Sequence, residues 1–311
     1  MNAAFPYDSI LLTGASGFIG AHLLETLIPT GTQIHLVGRK PPGEHLKPQL
    51  TSPNVRWHIH DGSTQGLIDI LAQARPQLVF HLASCFLAQH TSQDIEALIQ
   101  SNILFGAQLL EAMSHNDVHL LVNFGTSWQK YHNADYDPVC LYAATKQAFQ
   151  DILFFYTQTT PLRAINLLLF DTYGPRDRRR KLFGLLLENM RSGQTLNMSP
   201  GDQLLDLVYI SDVIAACFVS AGQLRTFAPG DMQTYAVSSG SPVSLRTVVA
   251  RFEEIAGRKL SIAWGERPYR PREVMIPWNT GANLPGWRPE IDLDQGIALL
   301  LNSERPGNGI C

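Results

Sequence analysis

Ser9-Ile10-Leu11-Leu12-Thr13-Gly14-Ala15-Ser16-Gly17-Phe18-Ile19-Gly20 is the stretch from which the fold can be read. A short apolar run ends at a glycine cluster, which suits a strand buried in a parallel sheet. Ala21 to Leu27 then reads as a helix. The glycines stand at 14, 17 and 20, the spacing of a dinucleotide-binding turn. One glycine permits the tight turn, one lets backbone approach a pyrophosphate, and one lets helix pack on strand. The pyrophosphate would sit at the helix N-terminus, where free N–H groups and the helix dipole favour anions. Glycine-rich turns also occur without ligands, but strand and helix flank this one on the correct sides. Gly14, Ser16, Gly17, Phe18, Ile19 and Gly20 are the first candidate cofactor residues.

Outward from this turn, Gln33 to Val37 reads as a second strand. Asp or Glu at its end would bond a ribose 2′-hydroxyl and select NAD, whereas a nearby Arg accommodates the 2′-phosphate of NADP. The chain reads Gly38-Arg39-Lys40, two cations with no carboxylate before Glu44. Unless they are solvated loop charges, Arg39 and Lys40 favour NADP(H) over NAD(H). A third strand, Val55 to Ile59, leads to Asp61 and Gly62, where Asp61 could reach an adenine amino group. Gln77 to Ala83 is a fourth strand, with Leu82, Ala83 and Ser84 at the carboxyl end where such sheets bind ligands. His81 reads as a packed core histidine.

Asp94 to Met113 is expected to form one long helix and Leu120 to Phe124 a fifth strand, ending in the hydroxyl cluster Thr126-Ser127. Tyr142 and Lys146 then open an apolar helix four residues apart, on one face. A lysine ammonium beside a phenol favours the phenolate, so the pKa of Tyr142 is expected to fall toward neutral. That would make it a proton donor or acceptor at a sugar hydroxyl or ketone. Leu162 to Leu169 is a sixth strand. Alternating strands and helices indicate right-handed βαβ units and a parallel sheet.

Beyond residue 170 the regular alternation stops. Asp171 to Pro175 reads as a turn, Ser244 to Ala256 as an N-capped helix stopped by Gly257, and Pro268 to Pro289 as irregular backbone. The expected architecture is α/β: a doubly wound Rossmann sheet with a smaller C-terminal substrate-binding lobe. Residues 1–170, with about 204–238 threading back, would form the NADP(H)-binding part. Residues 171–203 and 239–311 would form the lobe.

Composition removes several classes. The 311 residues are 45% hydrophobic and 16% charged with net charge −3, without the basic footprint of nucleic-acid binders. Cys85, Cys140, Cys217 and Cys311 lack CxxC spacing, so neither a metal site nor a disulfide framework is suggested. Met1 to Ser9 lack the basic start and apolar run of a signal peptide, and no stretch approaches the roughly 18 apolar residues of a membrane span. The expectation is a cytoplasmic protein of a reducing compartment, without membrane or nucleic-acid partners.

Taken together, these motifs resemble the extended short-chain dehydrogenase/reductase superfamily, in its nucleotide-sugar epimerase/dehydratase/4-ketoreductase branch. The resemblance rests on Thr13 to Gly20, Phe80-His81-Leu82-Ala83, Thr126-Ser127 and Tyr142-x-x-x-Lys146. Tyr173-Gly174-Pro175, Asp206 to Val213 and Pro285 to Pro289 extend it over essentially the whole chain. It implies that Tyr142 is the catalytic acid/base, that Lys146 lowers its pKa and holds the nicotinamide ribose, and that Ser127 bonds the reacting oxygen with Thr126 beside it. It implies a polar role for Asn102 near the active-site helix, substrate contacts from Ser84 and Ser127, a diphosphate contact from Arg272, and a homodimer.

Departures narrow the reaction. The family often has Asn where Asp171 stands, and that carboxylate would bond a sugar hydroxyl or a neighbouring arginine instead of phosphate. The Arg176–Lys181 run would clamp a substrate diphosphate, with Lys181 the inward residue, or else be a solvated loop. Dehydratases of the branch carry Asp-Glu after the Thr, whereas Ser127-Trp128 follows Thr126, so elimination lacks its residues. The stretches around Thr126, Tyr142 and Tyr173 are similar to CDP-abequose/CDP-paratose synthases and dTDP-4-keto-6-deoxyhexose reductases. The leading expectation is NADPH-dependent reduction of the C4 ketone of a nucleotide-linked 4-keto-deoxyhexose, with Tyr142 as proton donor. An NAD-dependent nucleotide-sugar epimerase and a nucleotide-binding scaffold without turnover are the alternatives.

Overall fold

The computed structural model describes residues 5–304, so Cys311 lies outside the described residues. The first part of the chain alternates β1 (Ser9–Thr13), α1 (Phe18–Leu27), β2 (Gln33–Gly38), β3 (Val55–Ile59), α2 (Thr64–Ala74) and β4 (Leu78–His81). It continues through α3 (Ile95–Ile99), α4 (Phe105–His115), β5 (Leu120–Thr126), α5 (Leu141–Thr159) and β6 (Arg163–Leu169). After it come β7 (Asp171–Tyr173), α6 (Leu182–Ser192), β8 (Leu196–Met198), β9 (Leu204–Leu205), β10 (Leu207–Tyr209) and α7 (Ile210–Leu224). The last elements are β11 (Met232–Val237), β12 (Val243–Ser244), α8 (Leu245–Ala256), β13 (Ile262–Trp264) and α9 (Leu293–Ser303).

Seven of these strands form one parallel sheet in the order β3-β2-β1-β4-β5-β6-β11. The order reverses between β1 and β4, which is where an open sheet of this kind leaves a crevice at its carboxyl edge. Both faces are buried, so the strands read as continuous apolar runs. Ile10, Leu12, Leu78, Phe80, Val122 and Ile165 point into a core shared with α1 and α7. Leu11, Val79, Leu121 and Ala164 point into a second core shared with α2, α4 and α5. The fold expected from the strand–helix alternation is the one found.

Three differences from the sequence reading have identifiable causes. Asp171 to Tyr173 is a strand, not only a turn, because it pairs in parallel with Leu207 to Tyr209. A strand pair between Leu196–Met198 and Ile262–Trp264 joins segments too far apart for their pairing to show in the sequence. The long helix expected over 94–113 is interrupted by a π-helical turn at Gln100–Leu104, a feature that often marks functional positions. In the later part, Ser244 Oγ accepts from Thr247 N–H at the start of α8, and Gly257 closes it at φ +64°. Asp206 accepts from Ser238 Oγ and Ser239 N–H, and Asp212 accepts from Ile291 N–H, tying the tail back onto the sheet.

Two buried histidines give the fold an acid limit. His81 on β4 is held 2.9 Å from Thr13 Oγ1, and burial, then the Lys146 charge, depresses its pKa to about 3. Between β2 and the edge strand β3, His35 lies 2.9 Å from His58, and burial, then His58, depresses it to about 4. Below pH 6.5 the unfolded chain takes up protons that these folded histidines refuse, so stability falls with falling pH until the folded pKa values are reached. At about 1.4 kcal/mol per unit, His81 alone removes on the order of 3 kcal/mol by pH 4. Urea unfolding should show a midpoint that drops from pH 7 to pH 4. His81→Gln should flatten that slope, and an unchanged slope would rule out His81 as its source.

Candidate active site

The glycine turn packs as the sequence spacing requires. Gly14 has φ +76°, and a Cβ there would meet Ala83 N at 2.6 Å, so β4 can approach only because the side chain is absent. A Cβ on Gly20 would meet Gly14 O at 2.2 Å, whereas one on Gly17 would meet only Gly14 O at 3.2 Å. Gly17 caps α1 without a side-chain acceptor, so no side chain of the cap covers the N–H groups of its first turn. Thr13 Oγ1 accepts from Ala83 N–H and fixes the facing strand end. This cradle fits a dinucleotide pyrophosphate.

Three cavities meet along the carboxyl edge of the sheet. One of about 490 Å³ is lined by Gly14, Ser16, Gly17, Arg39, His60, Gly62, Leu82, Ala83 and Ser84, with Gln100, Phe105 and Gln108 from the helix opposite. Arg39 is its one formally charged side chain. Lys40 does not line it, and its carbonyl accepts from Trp57 Nε1. Asp61 does not line it either: its carboxylate is taken up by the N–H and hydroxyl of Ser63, which hold its pKa down. Of Arg39 and Lys40, expected to choose the cofactor, and Asp61, expected at the adenine, the fold therefore brings only Arg39 to the cavity.

A second cavity, about 210 Å³, joins Gly14, Gly17, Phe18, Ile19, Gly20, Leu82 and Ser84 to Thr126, Ser127, Tyr142, Lys146, Asp171 and Lys181. A chain of side-chain amides sets β5 against α5. Gln129 Oε1 accepts from Thr126 N–H, and its Nε2 donates to Gln147 and Gln150. Thr126 turns its own hydroxyl to Trp128 N–H, leaving Ser127 Oγ free of partners among the described residues. Asn102, buried in the π turn, accepts from Ser84 Oγ and Cys85 N–H and donates to Cys85 O and Thr145 Oγ1. Thr145 in turn donates to Tyr142 O, so this one amide ties the β4 loop to the Tyr142 turn.

The electrostatics differ from the expected lysine-lowered phenol. Burial pushes Tyr142 up to about 12, outweighing a hydrogen bond with Ser84 and the Arg179 charge, and Lys146 is not among the groups that shift it. Burial also brings Lys146 down to about 8. The phenol is thus protonated at neutral pH. Lys146 Nζ has no hydrogen-bond partner among the described residues.

The third cavity, about 480 Å³, opens beyond Tyr142 and is lined by Phe86, Trp128, Asp171, Lys181, Arg267, Arg270 and neighbours from α6 and β8. Lys181 Nζ lies 3.3 Å from Asp171 Oδ1, so that carboxylate's charged neighbour is a lysine and not the expected arginine. Arg272 is not brought here. It pairs with Asp137 and covers the Tyr131 ring. Arg270, two residues earlier, lines the cavity instead, 5.1 Å above the Trp128 ring and bonded to Glu273. At Arg272 φ is +59°, a left-handed turn that aims the two arginines differently and that the run Arg270-Pro271-Arg272 does not announce. Phe86 also escaped the sequence reading. Its ring packs 4.9 Å from Tyr142 and 5.8 Å from Trp128, and its only signal was its place two residues after Ser84.

The chain is similar to several known proteins. A CDP-abequose synthase of Yersinia pseudotuberculosis is 27% identical over 86% of this chain and 91% of its own length. One from Salmonella typhimurium is 24% identical over 96% and 98%. Among solved structures, the Thermus thermophilus UDP-glucose 4-epimerase in complex with NAD superposes with a TM-score of 0.76 at 25% identity, over 94% of this chain and 97% of that one. The Thermotoga maritima UDP-glucose 4-epimerase shares the fold with a TM-score of 0.81 at 22% identity, over the same shares. The model of the NAD dependent epimerase/dehydratase family matches residues 10–235, from β1 through the Tyr142 helix and into β11, and the chain belongs to that family.

Proposed function

We propose that this enzyme transfers hydride from NADPH to the C4 ketone of a nucleotide-linked 4-keto-deoxyhexose, with Tyr142 delivering the proton to the carbonyl oxygen. The observation that carries this reading is Arg39, the one formally charged side chain in the larger cofactor cavity, with no carboxylate lining it. A guanidinium there suits a 2′-phosphate, and NADPH is a reductant consumed once per turnover. A reduced nicotinamide, when bound, supplies the hydride. Tyr142, protonated at neutral pH, is poised to donate, Ser127 Oγ is free to bond the same oxygen, and Lys146 is placed for the ribose. Phe86 and Trp128 offer apolar ring surface beside Tyr142, suited to the deoxygenated part of a sugar. Lys181 and Arg270 are placed for the diphosphate, with Asp171 paired to Lys181.

The names of the two CDP-abequose synthases support a CDP-linked sugar. Residues up to 170 with 204–238 would hold the cofactor, and 171–203 and 239–311 the sugar nucleotide. We further assign a homodimer through α3 and α5, whose Ile95, Ile99, Phe154 and Phe155 are exposed. Sedimentation showing only monomer would refute that pairing. Among the described residues no helix is long and apolar enough to cross a membrane.

The test is NADPH oxidation on a CDP-4-keto-deoxyhexose, followed at stoichiometric product. Arg39→Ala should weaken NADPH binding about tenfold or more while leaving NADH within twofold, since a charged hydrogen-bonded pair is lost only with the 2′-phosphate. Equal effects on both cofactors would refute the assignment of Arg39. A second reading, an NAD-dependent epimerase of a nucleotide sugar, is favoured by the NAD held in the Thermus thermophilus neighbour. Tightly retained NAD in the purified protein would support it. A scaffold without turnover is opposed by the convergence of Ser127, Tyr142 and Lys146 in one cavity.

A further inference from the structure

The basic run after Pro175 does not act as one clamp. Arg176, Arg178 and Arg180 line the sugar-side cavity and Lys181 lines both it and the next, but Arg179 turns only into the cleft with Gly14, Gly17, Phe18, Tyr142 and Lys146. Its guanidinium carbon lies 4.7 Å above the Phe18 ring, over the first residue of α1. Asp177 holds the fork from one side, accepting from Nε and Nη2 at 2.7 Å each, and Thr172 O accepts from Nη2 at 3.3 Å. Nη1 makes no hydrogen bond to the described residues. At the other end of the same strap, Arg176 is bonded by both its Nη atoms to Glu25 on α1. A guanidinium held in a fixed plane beside the uncovered N–H groups of a helix start is an arrangement for a phosphate oxygen.

We propose that Arg179 is a ligand of the dinucleotide's pyrophosphate, reached from the substrate-side strap, so that a bound cofactor fixes the strap that carries Lys181. Asp177 keeps the guanidinium plane and Nη1 meets the phosphate. The assignment rests on the dinucleotide reading only, and is indifferent to NADP against NAD and to reduction against epimerisation.

The experiment is calorimetric titration of the full chain with ADP-ribose and with AMP, which lacks the nicotinamide-side phosphate. Arg179→Ala should weaken ADP-ribose about tenfold or more, the loss expected for one charge-assisted contact, and leave AMP within twofold. Arg179→Lys should fall between, keeping the charge without the planar fork. Unchanged ADP-ribose affinity in Arg179→Ala would overturn the proposal alone, as would equal weakening of both ligands, which would mark a general loss of structure. A wild-type chain that binds no ADP-ribose would overturn the dinucleotide reading together with it.

Discussion

Tyr142→Phe should lower turnover by about a thousandfold or more, within the range that a positioned general acid supplies, while leaving NADPH affinity within twofold. The reasoning starts from packing. Tyr142 sits in the first turn of α5, its backbone carbonyl bonded by Thr145 and its ring edge packed on Phe86. Phenylalanine keeps that ring and both neighbours, so the variant should fold and bind as before. What it lacks is the phenolic hydroxyl placed with Ser127 and Lys146 in the same cleft. Because burial raises the phenol to about 12, it carries its proton across the neutral range, and the rate should stay nearly flat from pH 6 to 8 insofar as Tyr142 governs it. Steady-state kinetics with a binding titration checks both halves. Turnover kept within tenfold of the wild type would remove Tyr142 from the chemistry.

Gly20→Ala should abolish measurable dinucleotide binding and lower the unfolding midpoint. The added Cβ would lie 2.2 Å from Gly14 O and 2.8 Å from Gly14 C, both backbone atoms that cannot rotate away. Either α1 moves out or the turn opens. Moving α1 drags Leu23, Leu24 and Leu27, all fully buried, from the core they share with the sheet. Overpacking of this kind costs about 1–3 kcal/mol even where the surroundings can relax. Opening the turn instead destroys the approach of Gly14 to Ala83 that shapes the cradle. Thermal unfolding and calorimetry on the same sample separate the two effects. Wild-type affinity in this variant would mean that the turn does not hold the cofactor. Gly31, with open space around it, is the contrasting position in the same βαβ unit, although its φ of +80° strains any side chain.

Much of the fold was legible because its signals are local. Apolar runs at β1, β4, β5 and β6 mark strands buried on both faces, and glycines at 14, 17 and 20 mark a turn whose sterics involve only nearby chain and one facing strand. Tyr142 and Lys146 share a helix face by spacing alone. Tertiary structure decided what depends on distance through space. It turned Asp61 onto Ser63, sent Arg272 to Asp137 and Arg270 to the cavity, placed Asn102 in a π turn between two loops, and brought Phe86 against Tyr142. It also reversed the expected shift of the phenol, since desolvation by the packed chain dominates and Lys146 is not among the groups that shift it. Periodicity and backbone sterics are properties of neighbouring residues, and the sequence by itself determines them. Burial, charge pairing and the aim of a side chain are sums over residues far apart in the chain, and only the folded arrangement settles their sign.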